Sequence, residues 1–332
     1  MKFIIFADLH VDTMHDTVPR VKKMIETAQN EKADMIISLG DILYPPNDFM
    51  SARGIELRPD KWFYCERDEE KYEVRSLLKD CGIPVYHVTG NHDTDACTKK
   101  VFVEFMEMIN NYYSFDHYVK TGKDSEIDFH FVALDTSYIK VGDNYIPYEE
   151  RNKDNYEDGK YPCVSEEQLD WLKRDVIAAN KPTIILTHHS ISRKNDVKNF
   201  DRVREAINEL NADKQRVILC INGHSHLDGL EMLDGVPRLD INSCTHVWMG
   251  SSYVYRNFDD ETEKKYPYLC NVAPYKEPVF ACITLTKEAI EVKGYSSEFI
   301  GPTPYELGLP RDERYYEVTA LTSDRIIPLN LK

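Results

Sequence analysis

The sequence lacks an excess of basic residues. It has 41 lysines and arginines against 57 aspartates and glutamates, which gives a formal net charge of −16 at pH 7. Proteins that coat DNA or RNA neutralise phosphates with clustered lysine and arginine, so we expect no extended nucleic-acid partner and disfavour a nuclease. A small anionic substrate is compatible with this balance, because bound metal ions can reverse the charge of a local site.

Long apolar segments and paired cysteines are also missing. The N-terminal apolar run, residues 3–7, is too short for the core of a signal peptide. No stretch approaches the roughly 18–20 apolar residues of a membrane-spanning helix. The eight cysteines are scattered without a CxxC pair, which favours reduced thiols over a disulfide framework. We therefore expect a cytoplasmic protein with no membrane partner, and the sequence leaves the oligomeric state open.

What the 332 residues do contain is a series of short apolar runs, each followed by polar residues. The runs are 3–7, 35–37, 85–88, 184–187 and 217–221. Their length and their Gly, Asn and Asp boundaries predict buried strands. The stretches between them predict helices, for example residues 18–28 and a capping box in which Gln168 follows Ser165 by three positions. This alternation predicts an α/β protein with a largely parallel sheet, whose ligands bind at the carboxyl ends of the strands.

Two segments interrupt the alternation. Residues 44–75 begin with Tyr-Pro-Pro and carry mixed charge, and residues 138–163 contain five tyrosines. We expect both to be long loops over the strand ends that form the walls of a substrate pocket. We also expect one domain over residues 1–300 and a C-terminal tail, 301–332, that packs on it.

Candidate metal ligands follow all five apolar runs. The clusters are Asp8-x-His10, Gly40-Asp41, Asn91-His92-Asp93, His188-His189 and His224-x-His226. Most of them could be ordinary turn residues when taken singly. The last pair is stronger, because residues i and i+2 of an extended segment point to the same side. Together the clusters predict a metal site at one edge of one sheet, and imidazole with oxygen ligands suits Mn, Fe, Zn, Co or Ni better than Mg or Ca.

In this order the clusters resemble the motifs of the calcineurin-like metallophosphoesterases, which read D-x-H, GD, GNH(D/E), H and GHxH. The match spans residues 8–226. It is closest in style to bacterial cyclic-nucleotide phosphodiesterase-like members in the Thr-His-His block at 187–189, although Ser190 stands where many of those members have proline. The resemblance implies a four-layer αββα sandwich and a dinuclear centre of two divalent transition-metal ions, with Mn, Fe or Zn expected.

The resemblance also implies a role for each site residue. One ion would be held by Asp8, His10, Asp41 and His226. The other would be held by Asp41, Asn91, His188 and His224, with Asp41 bridging the two. His92 would protonate the leaving group and Asp93 would orient His92. The remaining histidines are expected to be packing or surface residues, namely His15, His87, His117, His130 and His246.

These inferences predict an enzyme that hydrolyses a small phosphodiester. A pair of divalent ions can clamp the attacking and leaving oxygens, and a metal-bridging water is a hydroxide at neutral pH. The same motifs serve phosphomonoesterases and nucleotide pyrophosphatases, which are therefore alternatives. A non-catalytic scaffold is disfavoured, because the sequence has every ligand of the motifs and also His92.

Overall fold

The computed structural model describes residues 1–11, 13–44, 68–95, 97–121, 125–149, 161–194, 196–250, 253–311 and 316–329. Much of the two predicted loops, 44–75 and 138–163, lies outside the described residues. Their described parts correct the expectation of loops, because residues 68–75 belong to a helix, Asp68–Asp80, and the second segment contains two strands, Tyr138–Val141 and Asn144–Pro147. Among the described helices, none has both the length and the apolar character needed to cross a bilayer.

Two sheets, each of six described strands, form the centre of the fold. In spatial order the first contains β16 (Arg325–Pro328), β15 (Ala289–Tyr295), β14 (Phe280–Leu285), β1 (Lys2–Phe6), β2 (Met35–Ser38) and β3 (Val85–His87). The second contains β10 (Gly229–Leu233), β11 (Val236–Asp240), β9 (Val217–Asn222), β8 (Thr183–Thr187), β5 (Ser125–Ala133) and β4 (Tyr113–Thr121). Two short antiparallel pairs lie outside them, β6 (Tyr138–Val141) with β7 (Asn144–Pro147), and β12 (His246–Trp248) with β13 (Val272–Pro274).

The two sheets pack face to face, and their central strands are buried on both sides. Along β1, Phe3 and Ile5 belong to the core between the sheets, where the Phe3 ring meets Phe131 edge-on at 5.9 Å. Ile4 and Phe6 point to the opposite face. Because successive side chains of a strand alternate between faces, a strand covered on both sides reads as a continuous apolar run.

Helices cover the outer face of each sheet. Their bounds are α1 (Thr17–Glu31), α2 (Asp68–Asp80), α3 (Lys99–Phe105), α4 (Glu166–Ala179), α5 (Phe200–Leu210) and α6 (Asp260–Lys265). The helices α1 to α3 share an apolar cluster with the outer face of the first sheet. The helices α4 and α5 do the same for the second sheet. The layers are therefore α, β, β and α, as the resemblance implied.

Most local predictions agree with this fold, and the exceptions are half of the capping box and the sheet type. The Ser165 hydroxyl caps α4 by accepting from the Gln168 N–H at 3.3 Å, while the Gln168 side chain turns to the backbone of Asp135 instead of completing a capping box. The sheets are mixed and not largely parallel, because β14 runs antiparallel to β1, β11 to β10 and β5 to β4. The loop between β10 and β11 has two residues, Asp234 and Gly235, both at positive φ, which is the conformation that a two-residue hairpin favours.

The strand ends that precede the clusters are aligned by register. In the first sheet, Phe6 of β1 pairs with Ser38 of β2, and Ser38 pairs with His87 of β3. In the second sheet, Thr187 of β8 pairs with Asn222 of β9. The ligand clusters therefore come from two sheets and meet at one edge of the sandwich, which corrects the expectation of a single sheet.

The C-terminal residues contribute to the first sheet. The strand β16 pairs with β15 and forms the sheet's outer described strand. Before it, Val318 and Ala320 are buried in a cluster with Tyr275.

Candidate metal centre

Three predicted ligands form a first group at the shared edge. The His10 Nε2 and His226 Nε2 atoms lie 3.3 Å apart. The Asp8 Oδ1 atom lies 3.8 Å from His10 Nε2 and 3.5 Å from His226 Nε2. All three side chains are buried, so one small cation would be within reach of all of them.

A second group surrounds His188. The His188 Nε2 atom lies 3.1 Å from Asn91 Oδ1 and 3.2 Å from His224 Nδ1. The Asp41 Oδ2 atom is 3.1 Å from His188 Nε2 and 3.9 Å from His10 Nε2. This one carboxylate oxygen therefore stands between the two groups, in the position of a bridging ligand.

The backbone at the site is strained. Five of the seven predicted ligands have φ between 49° and 64°, namely Asp8, His10, Asp41, His224 and His226. L-residues rarely adopt this left-handed region, and each such residue costs on the order of 1–3 kcal/mol. Strain of this kind concentrates at functional sites, because the surrounding structure must hold it in place.

Two motif glycines allow the loops to approach each other closely. A Cβ atom on Gly90 would lie 2.1 Å from Asp41 Oδ1. Gly40 has a φ of 96°, and a Cβ atom there would lie 2.6 Å from the backbone nitrogen of Gly90. Any larger residue at either position would displace the carboxylate of Asp41 or its loop.

Hydrogen bonds leave the lone pairs of several ligands available for a cation. The Nδ1 atoms of His188 and His226 lie 2.9 Å and 2.8 Å from the backbone oxygens of Leu39 and His246. Because a carbonyl only accepts, each Nδ1 carries a proton, and in the neutral imidazole each Nε2 then has a lone pair. Asp8 Oδ2 accepts from the His224 N–H at 3.0 Å, whereas Asp8 Oδ1 is buried and has no hydrogen-bond partner among the described residues. These donors fit a divalent transition-metal ion.

The charges at the site favour a cation as well. Burial raises the pKa of Asp8, but the histidines around it, chiefly His226, lower it to a net value of about 2. Burial lowers the pKa of His188, but Asp41 and Asp8 together raise it to about 9. The Asp8 shift reflects positive charge on the surrounding histidines, and the His188 shift reflects the negative charge of the two carboxylates, which a bound cation would neutralise.

His92 lies beside the ligands and is held by a different carboxylate from the one expected. Its Nδ1 atom is 2.6 Å from Asp95 Oδ2, and the Tyr148 hydroxyl donates to Asp95 Oδ1 at 3.0 Å. The His92 side chain is 30% exposed. Burial lowers the pKa of His92, but Asp41 and Asp95 outweigh that effect and raise it.

Asp93 contacts backbone instead of His92, which corrects the expected orienting role. Its Oδ2 atom accepts from the N–H groups of Asp41 and Gly90, at 2.9 Å and 2.8 Å. Its Oδ1 atom accepts from the N–H of Leu43 at 3.0 Å. Burial, with a further contribution from Asp41, raises the pKa of Asp93 to about 7. Asp93 thus ties together the two loops that carry Asp41 and Asn91.

Sequence reasoning missed three residues at the site. Asp95 and Tyr148 support His92, and their only sequence signal is the three-residue spacing between Asp95 and His92. His246, expected to be a packing or surface residue, is fully buried beside His10 and His226. His189 also touches the site, because its ring centroid lies 4.2 Å from that of His224.

The other histidines make contacts of a different kind. His130 pairs with Asp116 and Asp175, and the His15 ring packs on Phe258. His87 lines a separate cavity of about 210 Å³ with Arg75 and Lys79, and His117 on β4 pairs with Phe129.

Aromatic rings border the side of the site where His92 lies. The Tyr44 ring centroid is 4.5 Å from that of His92. Trp248 and Tyr268 follow at 5.5 Å and 4.9 Å from Tyr44. We call Tyr44, Trp248 and Tyr268 the aromatic wall.

Comparison with known proteins places this geometry in a family. The sequence profile of the calcineurin-like phosphoesterases matches residues 1–228. No curated protein matches the sequence. A dimetal phosphatase from Danio rerio is similar in structure, with 14% identity over 90% of this chain and 98% of its own and a TM-score of 0.58. GAP50, the anchor in the inner membrane complex of Plasmodium, is 14% identical over 100% of this chain and 89% of its own, with a TM-score of 0.52. At this level of identity the two likenesses show the fold alone.

Proposed function

The chain belongs to the calcineurin-like phosphoesterase family, and from that premise we propose that it hydrolyses a small organic phosphodiester at a dinuclear metal site. The observation that carries the proposal is the position of Asp41 Oδ2 between His10 and His188. Two divalent ions, Mn, Fe or Zn by the donor set, would supply Lewis acidity and an activated nucleophile when bound. Asp8, His10, Asp41 and His226 would hold one ion. Asp41, Asn91, His188 and His224 would hold the other.

Charge balance supports a diester over a monoester. Asp8 and Asp41 contribute two negative charges to the ligand set, so two divalent cations leave a formal charge of +2. An anionic nucleophile reduces this charge to +1, which a diester with its single negative charge would neutralise. A monoester dianion would leave an excess negative charge in a buried site, and uncompensated buried charge is costly.

The chain supplies a proton donor for the leaving group. His92 is adjacent to Asn91 in sequence but is not needed as a ligand, and Asp95 fixes its ring through Nδ1. The second ring nitrogen, Nε2, is the atom that we propose protonates the leaving oxygen. The aromatic wall lies next to this ring, and a flat apolar surface there suits an organic leaving group.

The test is steady-state turnover by the purified protein with added Mn²⁺. The substrates are bis-p-nitrophenyl phosphate, p-nitrophenyl phosphate and cyclic AMP. We expect kcat/KM for the diester to exceed that for the monoester. The reverse ratio would identify a phosphomonoesterase, and no turnover together with no bound metal would support a scaffold. The small phosphate-ester partner and the cytoplasmic location stay predictions.

A further inference from the structure

His246 lies beside the first group of ligands although it belongs to none of the five motifs. It follows His226 by 20 residues and is fully buried. Its ring centroid is 5.2 Å from that of His10 and 5.0 Å from that of His226, while the centroids of His10 and His226 are 5.3 Å apart. One nitrogen of each ring lies within 4.8 Å of a nitrogen of the other two. The three imidazoles therefore form a nearly equilateral triangle.

Thr245 determines which nitrogen of His246 carries the proton. Its Oγ1 atom is 3.1 Å from the backbone oxygen of Asp8 and 2.9 Å from His246 Nδ1. Because a carbonyl can only accept, the single hydroxyl proton of Thr245 points to Asp8. The hydroxyl oxygen then accepts from His246 Nδ1–H, and a neutral imidazole with its proton on Nδ1 has a lone pair on Nε2.

This lone pair has nothing to bind in the part of the chain that the structure describes. His246 Nε2 is buried and has no hydrogen-bond partner among those residues. A buried acceptor without a partner is unfavourable and calls for an ion or a water. A point equidistant from the three ring centroids would lie about 3.0 Å from each. That is close to a zinc–nitrogen bond of about 2.0–2.1 Å plus the roughly 1.1 Å from a ring nitrogen to the ring centre.

We infer that His246 is a further metal ligand, which binds through Nε2 the ion that Asp8, His10, Asp41 and His226 hold. The inference rests on the proposed dinuclear function. His246 would then act twice at this ion, since its backbone oxygen also accepts the Nδ1–H of His226 at 2.8 Å. A competing contact exists, because His10 Nδ1 is also buried and has no partner among the described residues. An N–H at this atom is a donor from which His246 Nε2 would accept in place of a bond to metal.

A crystal structure of the Zn²⁺-loaded wild-type protein separates these two contacts. We expect His246 Nε2 at about 2.0–2.1 Å from one zinc ion. The inference is overturned if Nε2 lies beyond about 3 Å from both ions and is hydrogen-bonded to His10 Nδ1 or to a water. Wild-type protein that binds no zinc would contradict the proposed function itself, whereas two zinc ions without His246 would contradict only this inference.

A competition titration with Zn²⁺ and a chromophoric chelator tests the same point in solution. His246→Phe keeps a flat ring but removes the nitrogen, and we expect the affinity for one of the two ions to fall by at least about tenfold. His87→Phe is the matched control, because His87 is also buried with an unpartnered Nδ1 among the described residues but lies in a separate cavity. Unchanged affinity in His246→Phe overturns the inference. If that variant does not fold, the wild-type crystal structure decides.

Discussion

The imidazole of His92 is held by the carboxylate of Asp95, with 2.6 Å between Nδ1 and Oδ2. His92 is the first residue of a short 3₁₀ helix, His92–Thr94, and Asp95 follows its last residue. In this type of helix the side chains at i and i+3 eclipse each other, so the local backbone brings the carboxylate to the ring. The Tyr148 hydroxyl holds the other oxygen of Asp95 from a distant segment. A ring fixed in this way is suited to deliver a proton in one direction.

The first prediction is that His92 and Asp95 assist the leaving group without holding metal. His92→Ala should lower kcat for poor leaving groups by about 10²–10⁴. Asp95→Asn should lower it less, by about 10–100-fold. Both losses should be smaller for p-nitrophenolate, which hardly needs protonation. Metal content should match that of the wild-type protein. An equal loss for good and poor leaving groups would instead assign His92 to substrate positioning.

The second prediction concerns the bridging position of Asp41. Asp41→Ala removes a ligand from both groups, so both ions should be lost or weakly held. Asp8→Ala should mainly weaken one ion, because Asp8 Oδ1 lies 3.8 Å from His10 Nε2 and 3.5 Å from His226 Nε2, the other members of the first group. Metal analysis after gel filtration measures both, with the exposed Asp201→Ala as a control. Two full equivalents of metal in Asp41→Ala would end the bridging assignment.

The third prediction is that Asp93 stabilises the two loops that carry Asp41 and Asn91. Its carboxylate accepts three backbone N–H groups, and the amide of Asp93→Asn offers one acceptor oxygen in place of two. At least one buried donor should lose its partner, at a cost of about 1–3 kcal/mol. Asp93→Asn should therefore unfold at a lower temperature than Asp95→Asn. In Asp95 the carboxylate partners described above are the side chains of His92 and Tyr148, not backbone N–H groups. Equal Tm values for the two variants would contradict this assignment.

The positions of the candidate metal ligands at one edge could be predicted from the sequence, whereas the residues that support them could not. Each ligand lies just after an apolar run, so a local pattern locates it. The partners of Asp93 and Asp95 depend on the backbone conformation of the few residues after β3. The pattern of apolar residues contains no information about that conformation. Tyr148 contacts Asp95, which is more than 50 residues away in sequence. His246 contacts His226, which is 20 residues away. The meeting of two sheets at one edge is likewise a long-range packing result that strand patterns do not contain.

The fourth prediction is that metal removal destabilises the fold. The left-handed backbone at five ligand positions and the buried carboxylates of Asp8 and Asp41 are unfavourable without a cation. An ion present at 100 times its Kd stabilises the native state by about 2.7 kcal/mol per site. Treatment with a chelator should lower Tm, and re-addition of Mn²⁺ or Zn²⁺ should restore it. The shift should be smaller in Asp41→Ala, since that variant has less metal to lose. A chelator effect as large as that of the wild type would contradict the prediction.

The last prediction is that the aromatic wall selects the organic part of the substrate. Tyr44 is the first residue of the predicted 44–75 wall, and its ring is in contact range of both His92 and Trp248. A stacked ring pair contributes about 0.5–1.5 kcal/mol beyond its buried area, or roughly 2–10-fold in affinity. Trp248→Leu should therefore lower kcat/KM for phenyl phosphodiesters by about that factor more than for glycerol phosphodiesters.

The control for this prediction is Tyr72→Leu, because Tyr72 is 45% exposed and its ring packs on Phe105 in another part of the fold. Its kcat/KM values should match the wild type for both esters. Metal content should be unchanged in Trp248→Leu, since the indole is not among the proposed ligands. If Trp248→Leu lowers turnover of phenyl and glycerol esters by the same factor, the wall shapes the site without recognising the organic group. A selective loss for phenyl esters would instead make the aromatic wall the part of the protein that chooses among phosphodiesters.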